Sequence, residues 1–504
     1  MTQEWDEEYD VVVVGSGGGA LTAALLAARA GLSTVVVEKT SRLGGMSAYS
    51  GAALWLPGSQ VQERHGVGDS TEAARTYLRA LLGDGSADKQ DAFLAEAPVL
   101  VRELERDPAV EFEFRVFPDY YERPGRVPGG RSFVPVDLDP GELGDLISLV
   151  RPPVDRDRTG QGHDESAPLT GGRALIGRLL LAYDRTGHGA VRTGTRMDEL
   201  VAADGRVTGV AATRGGRRVR IGARRGVLLA AGGFEHDERL RGAHAVPGGA
   251  AQSMAPAGTN TGEPIAAAVE LGAATDLMHE GWWCPGVTMP DGGPAFVCGF
   301  FGGLVVDEHG SRYANESLPY DRFGREMAAA PGRLPSYVVF DDVTGGRLPA
   351  VTLPPWGEPA GHLAAGTLVR ADSLEELAGL IGVPAAALTA TVERFNGFAD
   401  SGHDEEFDRE ADEFGHWFGE PVLRPVRKAP YYAAKLVLSD LGTKGGLVTD
   451  VSGRVLRADG TPVAGLYAAG NTSASFTGAF YPGPGIPIGT AMVFGALAAK
   501  HMIG

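Results

Sequence analysis

The stretch Asp10-Val-Val-Val-Val-Gly15-Ser-Gly17-Gly-Gly-Ala20 decides the fold. It reads as a β-strand running into a glycine turn. An alanine-rich helical stretch then continues to Gly31, and the apolar run Thr34 to Val37 ends in Glu38. Strand, glycine turn, helix and second strand with a carboxylate at its tip are the layout of a dinucleotide-binding βαβ unit. Each small residue has a physical task. Gly15 allows the tight turn, Gly17 lets a pyrophosphate approach the backbone, and Ala20 lets the helix pack on the strands. The helix N-terminus stabilises phosphate charge, and Glu38 is placed to bind a ribose hydroxyl.

The chain has 504 residues, too many for one simple core, and two or three domains are expected. A formal net charge of -18 argues against nucleic acid or an anionic membrane as partner, since either calls for a basic face. Two cysteines, Cys284 and Cys298, make neither a metal site nor a disulfide framework, which fits a reducing cytoplasm. The acidic N-terminus runs into the first strand without the zones of a signal peptide. No stretch reads as long enough to span a bilayer; the longest apolar candidate, Thr490 to Ile503, is broken by Lys500 and His501 and reads as a packed C-terminal helix. The 11 histidines show no metal-ligand spacing, and no metal is expected.

Beyond Glu38, the paired glycines of Leu43-Gly-Gly45-Met-Ser47-Ala-Tyr-Ser50-Gly51 bring backbone close to a flat or anionic ligand. Helices are expected over 70–82 and 87–105. Residues 120–163, rich in Pro, Gly, Arg and Asp, read as irregular surface structure. A small β-meander is expected from Ala190, ending in the buried-strand run Gly226-Val-Leu-Leu-Ala-Ala-Gly-Gly233. The composition shifts near Gly281, where clustered aromatics begin, and the nucleotide-domain style returns at Gly445-Gly-Leu-Val-Thr-Asp, Val463-Ala-Gly-Leu-Tyr-Ala-Ala-Gly470-Asn471 and Pro487-Ile488. The acidic run Asp404 to Glu413 reads as a solvated helix face or loop. No second G-x-G-x-x-G is present to seat a nicotinamide.

Five stretches carry a resemblance. They are Gly15-Ser-Gly-Gly-Gly-Ala, Pro118-Asp-Tyr120-Tyr121, Asn315-Glu-Ser-Leu-Pro-Tyr320, Gly442-Thr-Lys-Gly-Gly446 and Phe480-Tyr481-Pro-Gly-Pro-Gly485. Together they resemble the FAD-dependent branch that includes fumarate reductases and 3-ketosteroid dehydrogenases, most closely the 3-ketosteroid Δ1-dehydrogenases. The resemblance implies an α/β fold: a Rossmann-like FAD-binding domain over 1–278 and 441–504, with an inserted α+β catalytic (substrate) domain over 279–440. It implies non-covalent FAD, because no histidine stands between Gly45 and Gly51. The implied FAD contacts are Gly15, Ser16, Gly17, Gly18, Gly19, Ala20, Glu38, Lys39, Thr40, Gly44, Gly45, Ser47, Ala48, Ser50, Gly51, Ala231, Gly232, Gly470, Asn471, Pro487 and Ile488. Met46 and Glu263 depart from the family pattern, where Thr or Ser and Asp are commoner.

The implied reaction takes a hydride from C1 of a 3-keto steroid to the flavin and a proton from C2 to a base. A proton α to a carbonyl is abstractable only if charge building on the oxygen is stabilised. The resemblance assigns that work to the Tyr481 hydroxyl and the Gly485 amide, the base to Tyr320, and a helping hydrogen bond to Tyr120, with Tyr121 as competitor for that last role. The acceptor that reoxidises the flavin is expected to be quinone-like or artificial. The alternatives are a 3-ketosteroid Δ4-(5α)-dehydrogenase, a fumarate-reductase-like flavoprotein and a non-catalytic flavin carrier; a hydrolase is disfavoured by the lack of a G-x-S-x-G elbow.

Overall fold

The computed structural model describes residues 4–419 and 421–504; the first three residues of the expected nucleotide domain lie outside these. The chain forms two compact units. The first comprises 1–244, 255–280 and 442–504, the second 245–254 and 281–441. Residues 245–254, expected with the nucleotide domain, belong to the second unit because Ser253 bridges Asp440 and the Ser439 hydroxyl donates to the Gln252 carbonyl.

The first unit is built on the opening motif. Strand β1 (Glu7–Val14) pairs in parallel with β2 (Thr34–Val37), Val11 opposite Thr34 through Val14 opposite Val37. On its other side β1 meets the long strand Arg217–Leu229, and that strand meets Pro462–Ala468, again in parallel. Gly189–Arg192 adds beyond β2. Both faces of this parallel core are covered, which is why Val11 to Val14 and Val35 to Val37 are an unbroken buried run. The first half of Arg217–Leu229 is instead the last leg of the expected meander, antiparallel to Arg206–Arg214.

Helix α1 (Gly18–Arg29) is buried from Gly18 to Ala28. It packs on the C-terminal helix Ile486–Ile503, which has 18 residues and corrects the shorter reading from Thr490. Pro487 stands in the first turn, where proline starts a helix and does not stop one. By length and composition this helix could cross a membrane, contrary to the expectation, but 61% of it is buried in the unit.

Much of 120–163 is irregular and at the surface, but part of it turns inward: Phe133–Pro135 pairs with Phe112–Phe114, and Tyr120, Arg131 and Ser132 are buried, as is the neighbouring Asp119.

The second unit holds a seven-stranded sheet in the order Leu304–Val306, Ser336–Asp341, Tyr431–Thr443, Gly281–Thr288, Pro294–Phe300, Ala350–Leu353, with Leu368–Ala371 also on Tyr431–Thr443. Leu304, Val306, Val339, Leu377, Leu388 and Phe395 lie in its apolar core. Asp404 and Arg409, expected on a solvated face, are buried there: Arg312 donates to Asp404 at 2.8 Å and to Glu316 at 2.8 Å, and Arg409 pairs with Glu316 at 3.3 Å. A buried ion of one sign needs a partner, and three arginine–carboxylate contacts supply it here.

Asp10 ties β1 to the start of β2. Its carboxylate accepts from the Ser33 amide and hydroxyl and from Arg224 Nε at 2.9 Å. The Arg224 hydrogen bond, with those of Ser33, holds the Asp10 carboxyl down at about 2. A carboxylate held below its unfolded value stabilises the fold above that value and loses the contribution as pH falls through the folded one. Asp10→Asn should therefore lower Tm at neutral pH, with the gap to wild type closing as pH falls from about 4 toward 2. Calorimetry over that range checks it, and a pH-independent gap would refute it.

Candidate active site

The glycine turn does what its residue types dictate. Gly15 sits at φ +104, and a Cβ there would lie 2.3 Å from the Ala230 carbonyl on the return strand. Only glycine fits that contact. Gly17 caps α1 with no side-chain hydrogen bond of its own. Ser47 reaches across instead, its hydroxyl accepting the Gly18 amide at 3.1 Å. Ser16 donates to Glu38 at 2.6 Å and accepts the Gly44 amide at 3.0 Å. Glu38 also accepts the amide and hydroxyl of Thr40, at 2.8 and 2.9 Å. Its carboxylate therefore fastens the turn to the end of β2 with three donors, and about one of its roughly four lone-pair positions remains for a ribose hydroxyl. Gly44, at φ +112, caps the short helix Gly45–Tyr49 that carries Ser47 and Ala48; Ser50 donates to the Ser47 carbonyl, and Gly51 lies beside Gly171. Lys39 is held by Thr261 at 2.7 Å and Glu263 at 3.3 Å.

The other expected contacts gather in the same unit. Gly232, at φ +82, has Asn260 where a Cβ would go, and the Thr472 hydroxyl accepts the Ala231 amide and donates to the Gly232 carbonyl. Gly470 adopts φ +64 before Asn471, whose side chain fills the space a Cβ on Gly442 would take. Pro487 lies in the first turn of the C-terminal helix, and Ile488 packs over Gly18.

Sequence reading missed the group behind this turn. Fully buried Glu235 accepts from Asn260 Nδ2 at 2.5 Å and from the Thr443 hydroxyl at 3.1 Å. Asn260, in the segment Asn260-Thr-Gly-Glu263, and Thr443, in the quoted stretch Gly442-Thr-Lys, are its partners, but nothing local pairs them with Glu235.

A second constellation surrounds the turn Phe480 to Gly485. Tyr481 and Tyr120 are buried with ring centroids 5.4 Å apart, whereas Tyr121 sits edge-on to exposed Phe480. The Phe480 carbonyl accepts from buried Lys444 Nζ at 2.8 Å, the Pro482 carbonyl from the Tyr77 hydroxyl at 2.7 Å and the Tyr120 amide at 3.0 Å, and the Pro484 carbonyl from the Ser132 hydroxyl at 2.6 Å. Gly485 adopts φ +90, and a Cβ there would lie 2.1 Å from the Ala53 carbonyl. It caps the C-terminal helix, and among the described residues its N–H meets no acceptor. A bare amide at a helix start is a donor looking for negative charge.

In the second unit Tyr320 is buried as the first residue of helix Tyr320–Ala328, after Pro319. Its ring stands edge-on to Phe296 at 4.7 Å. That helix lies close on Gly281–Thr288 because Gly324 has no side chain: a Cβ there would meet the Cys284 amide at 2.8 Å.

The parallel sheet, the glycine turn at the start of α1 and the carboxylate at the tip of β2 define a dinucleotide-binding fold of the kind used by oxidoreductases. Residues 10–488 match the FAD binding domain family. The chain is 44% identical to 3-oxosteroid 1-dehydrogenase of Rhodococcus opacus, over 99% of each chain. The crystal structure of 3-ketosteroid delta1-dehydrogenase from Sterolibacterium denitrificans, in complex with 1,4-androstadiene-3,17-dione, superposes with TM-score 0.89 at 33% identity over 99% of each chain. That of 3-ketosteroid-delta4-(5alpha)-dehydrogenase from Rhodococcus jostii RHA1 gives 0.70 at 25% identity, covering 100% of this chain and 98% of the other. The chain belongs to the FAD binding domain family, in its 3-oxosteroid 1-dehydrogenase branch.

FAD is its cofactor. The donor set suits it: the first-turn amides of Gly19 and Ala20, beyond the Gly18 amide that Ser47 takes, for phosphate, glycines where a flat ligand must come close, and the spare acceptor site on Glu38. Gly15→Ala would drive a Cβ into the Ala230 carbonyl and should purify with little bound flavin or fail to accumulate. An absorbance spectrum showing full flavin content would refute this role for the turn.

Proposed function

We propose that the protein introduces a 1,2 double bond into 3-keto steroids. One observation carries the assignment: the Phe480 to Gly485 turn has its carbonyls tied down by side chains while the Gly485 amide, at the start of an 18-residue helix, is unspent. With the Tyr481 hydroxyl it forms a pair of donors suited to an enolate oxygen, the charge that builds when a proton leaves carbon next to a carbonyl. Tyr320 takes the C2 proton. A phenol with an ordinary pKa near 10 is a weak base at neutral pH, so the step depends on the oxyanion donors making C2–H acidic and on Tyr120 as the helping hydrogen-bond donor. FAD, when bound by the residues named above, supplies the two-electron acceptor for the C1 hydride. Loss of C1–H with its electron pair and of C2–H as a proton leaves the C1=C2 bond, and the C3 carbonyl is regenerated. Repeated turnover would need an electron acceptor for the bound cofactor, quinone-like or artificial.

The family branch supports 1,2 over 4,5 desaturation. Action in a reducing cytoplasm is supported by the two free thiols, of which Cys298 is pushed up to about 12 by burial and so stays protonated. Non-covalent flavin follows from the lack of a histidine between Gly45 and Gly51; acid precipitation should leave intact FAD in the supernatant, and flavin in the pellet would overturn that.

4-Androstene-3,17-dione with an artificial acceptor should give the 1,4-diene, identified by mass and ultraviolet spectrum. A protein inert to that substrate that instead forms a 4,5 double bond in a 5α-reduced 3-keto steroid would be a Δ4 enzyme. Tyr320→Phe should keep its flavin and lose about 10²- to 10⁴-fold in kcat. Tyr481→Phe should lose about 3 kcal/mol of transition-state stabilisation, the scale of one oxyanion donor. Should Tyr481→Phe change only KM, the hydroxyl binds substrate and does not stabilise the oxyanion.

A further inference from the structure

Beneath the Tyr481 turn lies a buried ion group to which the proposed reaction assigns no part. Arg131, Asp69 and Asp119 have no solvent-exposed side-chain surface. Arg131 donates from Nε to Asp119 at 3.0 Å and from Nη1 to Asp69 at 2.8 Å. The second oxygen of Asp119 accepts the Trp55 indole N–H at 2.8 Å. The guanidinium lies 5.2 Å over the Trp55 ring and 5.5 Å over that of Tyr77. One cation shared by two carboxylates is an expensive way to fill an interior, since apolar side chains of the same volume commonly serve stability as well or better. What such a network provides is a single geometry.

The geometry it sets is that of the catalytic turn. Gly483 lies directly on the network: a Cβ there would be 2.6 Å from Trp55 Nε1 and 2.9 Å from Asp119 Oδ1. Asp119 precedes Tyr120, whose amide holds the Pro482 carbonyl. Arg131 precedes Ser132, whose hydroxyl holds the Pro484 carbonyl. Tyr77, 5.5 Å from the guanidinium, also donates to the Pro482 carbonyl. Each of these links grips the chain between Tyr481 and Gly485.

We infer that Asp119, Arg131 and Trp55 are positioning residues, which set where the Tyr481 hydroxyl and the Gly485 amide point through the indole–carboxylate–guanidinium chain beneath Gly483. This rests on the oxyanion role proposed for Tyr481 and Gly485. A donor displaced by an ångström loses most of its effect on a transition state, on the order of 10²-fold, without needing to alter substrate binding.

The test uses the flavin-loaded protein with Trp55→Phe and Asp119→Asn. Trp55→Phe removes the indole N–H together with the five-membered ring that carries it, but leaves every charge paired, so it decides the matter should Asp119→Asn fail to fold. Three readouts are taken: kcat and KM for 4-androstene-3,17-dione, the same variants in a Tyr481→Phe background, and the fluorine resonance of 3-fluorotyrosine placed at 481. We expect kcat to fall about 10- to 10²-fold with KM within about threefold of wild type. The loss should shrink to less than about threefold once Tyr481 is phenylalanine, because the two changes then act on one interaction. The fluorine line, single and narrow in wild type, should shift or broaden. An unmoved fluorine line, an unchanged kcat, or losses that multiply in full with Tyr481→Phe would overturn the inference. A wild-type protein that does not desaturate the steroid would overturn the proposed function instead, and the fluorine line would still judge the positioning.

Discussion

A Cβ on Gly19 would lie 2.5 Å from the Ala491 carbonyl, and one on Gly495 would lie 2.5 Å from the Gly19 carbonyl, so α1 and the C-terminal helix touch backbone to backbone. Gly18 faces Ile488 and Met492, while Ala23 faces Gly495, so the two helices advance in the same direction with their starts on the same side. One start is the nucleotide turn and the other is Gly485. Two positive helix ends held together repel weakly until anions neutralise them, each such interaction being worth about 0.3 to 1 kcal/mol. In the proposed reaction, phosphate meets that need at one start and a developing enolate oxygen at the other. The rest of the first unit serves this arrangement, with the parallel sheet delivering β1 to Gly15 and the return strand leaving no room there for a side chain.

Burial of polar groups marks where the structure spends specificity. Glu235 with Asn260 and Thr443 braces the Gly232 turn, and Lys444 with Tyr77 and Ser132 holds the carbonyls around Tyr481. In the second unit Glu316, between Arg312 and Arg409, also accepts the Val305 amide, which fixes the segment leading into Tyr320. Neutral apolar contacts would not discriminate between nearby rotations of these loops, whereas hydrogen bonds at 2.5 to 3.3 Å do.

Local patterns in the sequence carried the βαβ unit, the meander and the return strand, because periodicity and glycine placement are properties of neighbours in the chain. The tyrosines were legible only through resemblance, since an isolated tyrosine does not differ from a packing residue. What escaped was the side-chain pairing across long separations. Asp404 and Arg409 read as part of a charged surface run, yet Arg312 and Glu316, distant in sequence, draw them inside. Asp119, Arg131 and Ser132 sit in a Pro- and Gly-rich stretch that looks like surface loop, and only Trp55, Asp69 and the 480–485 turn explain their burial. The C-terminal helix read short because its flanking Pro-Gly-Pro-Gly run masked the proline that begins it.

Strand Arg217–Leu229 stands midway between partners drawn from opposite ends of the chain, β1 and Pro462–Ala468. On a ribosome the first of these pairings can form once Arg217–Leu229 has emerged, but the second, and the helix that locks α1, must wait until residues 462–503 have been made. The 281–441 segment, whose strands pair mainly among themselves, is complete before then. Maturation of the first unit therefore follows that of the 281–441 segment, with α1 exposing its apolar length until Ile486–Ile503 arrives to cover it, and that interval is when the nascent protein has most need of a chaperone.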